Sequence, residues 1–324
     1  MSLFALKICN HYVTQSTESP LLTPMREGIL LLGIGIISTT LSVAQVKKQF
    51  SIDNNDAVER VDLDFGVNSG TCFIKSSTTG ELLTVYGNQD FDSYSHSFNK
   101  EITDKTCIIK LNLEDDKSAG LSRSISYRMF GNDEKSSDNL WKMYLSTDKV
   151  YDLNLRYGIG NANIDLSGLS IEKVKINTGS ADVSFKASDY NKVEMDTFYV
   201  QVDMGSVKVE NVNLSKSKNI IADVGFGDLL LDFTDDAVLA TNVHGSVGAG
   251  NLMIVLPSSN TPVKVKISNS WLCKVSLLKT FKDIGNNTFV NDAYSETAPN
   301  TLNFNLDVSM GKIIFKEQPI SSSK

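Results

Sequence analysis

Leu155-Arg156-Tyr157-Gly158-Ile159-Gly160-Asn161-Ala162-Asn163-Ile164-Asp165-Leu166 reads as a strand, a Gly-x-Gly turn and a strand resumed. The step returns at Thr178-Gly179-Ser180-Ala181-Asp182-Val183, Asp203-Met204-Gly205-Ser206-Val207, Gly225-Phe226-Gly227-Asp228-Leu229 and Gly248-Ala249-Gly250-Asn251-Leu252. The small polar residue after each turn is Asn161, Asp182, Ser206, Asp228 or Asn251, at spacings of 21, 24, 22 and 23 residues. Such a period marks stacked structural units. After the first turn Ala162, Ile164 and Leu166 point one way and Asn163 and Asp165 the other, the pattern of a strand buried on one face. A unit of two short strands cannot bury its own apolar edge. Stacking solves this, because the unpaired backbone groups of one unit meet the next at about 4.8 Å. The turn glycines Gly158, Gly160, Gly179, Gly205, Gly225, Gly227, Gly248 and Gly250 are expected to supply positive φ and room for neighbouring turns. The expected fold is all-β: a β-solenoid or rack of stacked short strands with glycine-turn repeats of about 22 residues.

The 324 residues are 41% hydrophobic and 21% charged, which is ordinary for a globular chain. The net charge of −7 is spread along the sequence and offers no basic field to a phosphate-rich partner, so nucleic acid is not an expected ligand. Residues 1–24 show no periodicity. From Met25, one positive charge at Arg26, the apolar and glycine run Gly28 to Ile37 and the small-x-small triplet Ser42-Val43-Ala44 before Gln45 outline a secretory signal peptide. The competing reading is an uncleaved anchor, but Ile29 to Val43 is 15 residues with a polar Ser38-Thr39-Thr40, short of the roughly 20 apolar residues of a spanning helix.

Residues 45–150 form an N-terminal β segment that caps part of the rack, with strands at Val61–Phe65, Thr71–Ile74, Leu82–Tyr86, Thr106–Leu113, Ser124–Met129 and Trp141–Leu145. Phe91–Asn99, Glu114–Gly120 and Gly131–Asn139 read as loops. Residues 151–317 hold the repeat core, ending in Leu302–Val308, a glycine turn and Ile313–Phe315 as a C-terminal cap; 318–324 is a disordered tail.

Together the Trp141–Leu145 run, Tyr151-Asp152-Leu153-Asn154-Leu155, Gly158-Ile159-Gly160-Asn161, Ile164-Asp165-Leu166-Ser167-Gly168-Leu169 and Asn177-Thr178-Gly179 resemble the toast-rack family of bacterial envelope proteins. That family is similar to Lia-type cell-wall antibiotic-response proteins and to candidate adhesins with repeated β-strands. The likeness takes in Val61 to Ile74 and runs on to about Phe315, although Ala181 replaces a turn glycine and the third turn keeps only Gly205. It implies a β-rich exported or envelope protein and carries over no catalytic residues.

Little in the chain points to chemistry. His96 and His244 have no serine elbow or metal-ligand partner nearby, and His244 before Gly245 reads as an exposed turn histidine. The Gly-x-Gly turns lead into strands, not helices, so no dinucleotide site is expected. Asp182 and Asp228, two units apart, would lie about 10 Å from each other, near the roughly 6.5–9.5 Å of inverting glycosidases. Turn chemistry explains the whole column more simply, because Asn, Asp and Ser cap nearby amides. Asp115-Asp116 and Asp235-Asp236 lack calcium-loop spacing. Lys264 and Lys266, continued by Lys274, form a basic face that either meets acidic ligands or guards a strand edge. Cys72 and Cys107 are either one disulfide or two buried thiols. The expectation is therefore a non-enzyme without metal or cofactor, exported to the periplasm or surface of a bacterium. It would present its strands to an envelope protein or a wall or surface glycan, as an adhesin-like scaffold. The alternatives are a Lia-type envelope-stress sensor and a β-solenoid glycan hydrolase or lyase.

Overall fold

The computed structural model describes residues 46–115, 139–257, 260–269 and 273–317. The expected signal peptide, the Ser124–Met129 strand, most of the Gly131–Asn139 loop and the tail lie outside them. In chain order the strands are β1 (Lys47–Asp53), β2 (Arg60–Ser77), β3 (Glu81–Gly87), β4 (Ser95–Thr103), β5 (Thr106–Glu114), β6 (Leu140–Ser146), β7 (Val150–Asp165), β8 (Ser170–Lys186), β9 (Met195–Val202) and β10 (Ser206–Val209). They continue with β11 (Ser217–Val224), β12 (Asp228–Asp232), β13 (Thr241–Val247), β14 (Asn251–Leu256), β15 (Val263–Asn269), β16 (Lys274–Ser276), β17 (Lys282–Gly285), β18 (Thr288–Val290), β19 (Leu302–Val308) and β20 (Lys312–Glu317).

All of them belong to one sheet that bends into two walls. The long strands β2, β7 and β8 run through the bend and contribute a half to each wall; later rungs break there into strand pairs. In the first wall the parallel order is β5, β2, β7, β8, β9, β11, β13, β19, β15. In the second it is β6, β2, β7, β8, β10, β12, β14, β20, β16. Antiparallel strands close the ends: β4 on β5, β3 on β6 with β1 on β3, and β18 on β15 with β17 on β18.

Strict alternation fills the space between the walls. Val61, Leu63, Phe65 and Val67 of β2 are buried while Asp62 and Asp64 between them are not. Aromatic rings cross from wall to wall: Phe185 meets Phe198 at 5.0 Å and Phe304 meets Phe315 at 5.5 Å. Each such side chain contributes about 1.5–3 kcal/mol by leaving water.

Where one rung passes to the next, buried asparagines hold the backbone. The Asn191 amide donates to the carbonyls of Ile171 (2.6 Å) and Ser215 (3.3 Å), and its oxygen accepts from the Ile171 N–H (2.9 Å), tying three rungs together. Asn213 likewise donates to the carbonyls of Phe233 and Asp235.

Two expectations need correction. Leu302–Phe315 is no cap. β19 and β20 lie between β13/β14 and β15/β16, so the last rung is internal and the chain has already laid down its outer neighbour. The N-terminal end has the same crossing, with β2 between β5/β6 and β7. Phe91–Asn99 is not a loop throughout, because β4 begins at Ser95 and pairs with β5 along its length. Its residues are exposed at the end of the wall, which gives them the polar composition of a loop.

Candidate functional site

The strand register sets Asn161 beside Asp182, Asp182 beside Ser206, Ser206 beside Asp228 and Asp228 beside Asn251. These residues open the outgoing strands of the second wall and form a ladder. The Asp182 carboxylate accepts from the Ser206 hydroxyl at 2.7 Å, and the Asp228 carboxylate accepts from the Asn251 amide at 2.6 Å. Asp182 and Asp228 are both exposed, and Ser206 lies between them. The hydrolase alternative thereby loses its converging carboxylates.

Glycines in the bend work mainly by closeness. Of the turn glycines named above only Gly160 has positive φ (114°), shared with Gly70 (113°) one rung below. At Gly205, Gly227 and Gly250 a Cβ would sit 2.0–2.3 Å from the main-chain oxygen one rung below, that of Ala181, Gly205 and Gly227 respectively. The expectation of positive φ is corrected for these, since a close-packed carbonyl, not a left-handed backbone, excludes the side chain.

Other singled-out residues are dispersed. His244 is in β13, not a turn, on the outer face between Ile221 and Asn305. His96 lies against Phe50, Phe91 and Tyr94 in an aromatic cluster. Cys72 and Cys107 are free and buried. They cannot bridge, because Cys107 stands beside Val61 at the far end of the first wall while Cys72 follows the bend in the second, beside Trp141. Asp116 is outside the described residues, and the Asn68 side chain accepts from the Asp115 N–H. One oxygen of Asp235 is buried without a hydrogen bond; burial, Asp232 and Asp236 all push this carboxyl up. Lys264 and Lys266 face outward on the first wall, but Lys274 belongs to the second and does not continue them. Among the described residues no group of three His, Cys, Asp or Glu side chains could hold a metal ion.

The structure offers instead a concave groove of about 530 Å³ on the outer face of the first wall, across β5, β2, β7, β8 and β9. Register places Lys110, Asp64, Asn154, Lys175 and Tyr199 in one row across these five strands. A parallel row holds Ile108, Asp62, Asp152, Lys173 and Thr197. Acids thus sit on β2 and β7, and cations flank them on β8 and β5.

Arginines hold the acidic side in place. Arg156 pairs with Asp64 at 2.5 Å, and Arg60 grips Glu172 in a two-pronged pair at 2.8 and 2.6 Å. Burial pushes the Asp152 carboxyl up, against the pull of Lys173 and Arg60. Lys110, Lys173 and Lys175 form no ion pair among the described residues. Lys175 hangs over the Tyr199 ring at 5.2 Å, and the Tyr199 hydroxyl donates to Asp223 at 2.9 Å. The Asn154 side-chain oxygen in the floor is buried and accepts no hydrogen bond. The groove therefore holds lysine donors outside any ion pair and an aromatic edge. Periodicity could not reveal it, because its residues come from five strands separated by most of the N-terminal half.

The described residues form a stacked, two-walled β-sheet with a charged groove on the first wall. Residues 42–210, more than half of the 324, match the model of the N-terminal domain of toast_rack, and the chain belongs to that family. The match takes in every residue of the groove. The crystal structure of a candidate cell adhesion protein from Clostridium sporogenes is similar, with 17% identity and a TM-score of 0.40 over 85% of this chain and 100% of that one. A candidate adhesin from Bacteroides fragilis shows 13% identity and a TM-score of 0.32 over 84% and 97%. No curated protein matches the sequence.

Proposed function

We propose that the chain is an exported, non-enzymatic protein of the bacterial envelope whose first wall binds a wall or surface glycan. One observation carries the reading. The groove over β5 to β9 lines up Lys110, Asp64, Asn154, Lys175 and Tyr199, with the lysines outside any ion pair among the described residues. A polyhydroxylated chain can accept from the unpaired lysines and lie against the tyrosine edge. A protein partner would call for apolar anchors, and of the apolar lining residues Leu63, Leu153 and Val174 are buried in the core, which leaves Ile108 and the tyrosine to face a ligand. Export rests on the Met25–Ala44 pattern, and the envelope setting on the family.

The test is co-sedimentation of the purified chain with insoluble wall glycan, beside the double variant Lys173→Glu/Lys175→Glu. The wild-type chain is expected to pellet and the variant to stay in solution. A wild-type chain that does not pellet contradicts the reading. Retention that protease treatment of the wall preparation abolishes would transfer it to a protein ligand.

A further inference from the structure

The second wall carries, on its outer face near the C-terminal end, a patch that its own register makes self-complementary. On β12 the outward residues are Asp228, Leu230 and Asp232; on β20 they are Lys312, Ile314 and Lys316. Between them β14 presents Asn251, Met253 and Val255. Pairing aligns the three strands row by row: Asp228, Asn251 and Lys312; then Leu230, Met253 and Ile314; then Asp232, Val255 and Lys316. Acids thus line one flank, lysines line the other, and an apolar row crosses the middle. The four charged residues form no ion pair among the described residues.

We infer that this face docks a second copy of the chain, face to face about a twofold axis parallel to β14. Rotation about that axis lays β12 of one copy over β20 of the other and keeps each residue's position along the strand. Asp228 then meets Lys312, Asp232 meets Lys316, Leu230 meets Ile314, and Met253 meets its own counterpart. An axis across the strands would set acid over acid and lysine over lysine, so the charges select one geometry. The next strands outward agree: β10 offers Ser206 and Lys208, and β16 offers Lys274 and Ser276, which puts serine opposite lysine in both cases. Three strands about 4.8 Å apart make a small interface, below the roughly 1,200 Å² of standard complexes, so association is weak and rises with concentration. The patch is on the opposite wall from the groove, and its use does not depend on what the groove binds.

Sedimentation-velocity measurements on the purified chain over a wide concentration range test this, with two charge-reversed variants. One is Asp228→Lys/Asp232→Lys and the other Lys312→Asp/Lys316→Asp; thermal melting checks that both fold. The wild-type chain is expected to form a dimer as concentration rises. Each variant alone places like charges on both flanks and is expected to stay monomeric. An equimolar mixture restores opposite charges on both flanks and is expected to dimerise again. A monomeric wild-type chain at every concentration, a dimer that both variants retain, or a mixture that stays monomeric would each overturn the proposal.

Discussion

A Cβ built on Gly205 would lie 2.0 Å from the main-chain oxygen of Ala181, one rung below. The bend column is therefore a stack of backbones in contact. Gly205→Ala and Gly250→Ala are each expected to destabilise the fold by about 1–3 kcal/mol, the usual cost of overpacking. Gly179→Ala, whose Cβ would meet the Gly158 oxygen at 3.1 Å, should cost less. Urea denaturation of the three variants checks the order.

Asn191 ties three rungs through one side chain. Asn191→Ala leaves a buried N–H and two buried carbonyls without these partners, and each such group costs about 1–3 kcal/mol. A loss of at least about 2 kcal/mol is expected by denaturant unfolding. A change within experimental error would show that water replaces the amide.

The all-β fold was legible where the sequence alternates, because Ala162, Ile164 and Leu166 reveal a buried face. Neighbour identity was not legible at the ends. Alternation tells which face of Leu302–Val308 is buried but not that β13 and β15 flank it, since any apolar strand edge offers the same backbone donors and acceptors. Asn191 and Asn213 also escaped notice, because an asparagine in a connector looks like any turn former until the carbonyls it meets are known. The groove was hidden for a similar reason: Asp64, Asn154 and Lys175 become neighbours only once the register is fixed.

For Asp235 the pH dependence has a definite sign. Burial and two neighbouring aspartates hold its folded carboxyl above the ordinary 3.8, so ionisation opposes folding. The cost is absent below the unfolded value and grows as pH rises through the unfolded and then the folded value. Asp235→Asn is expected to raise the melting temperature at neutral pH, and the gain should vanish as pH falls below 3.8. A gain that persists in acid would mean that the effect is not electrostatic.

Thiol reactivity separates the three cysteines of the described residues. Burial pushes the Cys72 thiol up to about 12 and raises that of Cys107, whereas Cys273 is only partly buried. The folded chain is expected to react with a thiol reagent at Cys273 first and at Cys72 and Cys107 only on unfolding. Counting thiols in denaturant without reductant checks that Cys72 and Cys107 are free. A deficit of two, mapped by peptide analysis to Cys72 and Cys107, would restore the disulfide.

The most direct test of glycan binding by the first wall is an amide chemical-shift titration of the isotope-labelled chain with soluble wall-glycan fragments. Shifts are expected to concentrate at Asp64, Asn154, Lys175 and Tyr199, with the outer face of the second wall unchanged. Shifts confined to the second wall or the bend, or none at saturating fragment, would contradict it.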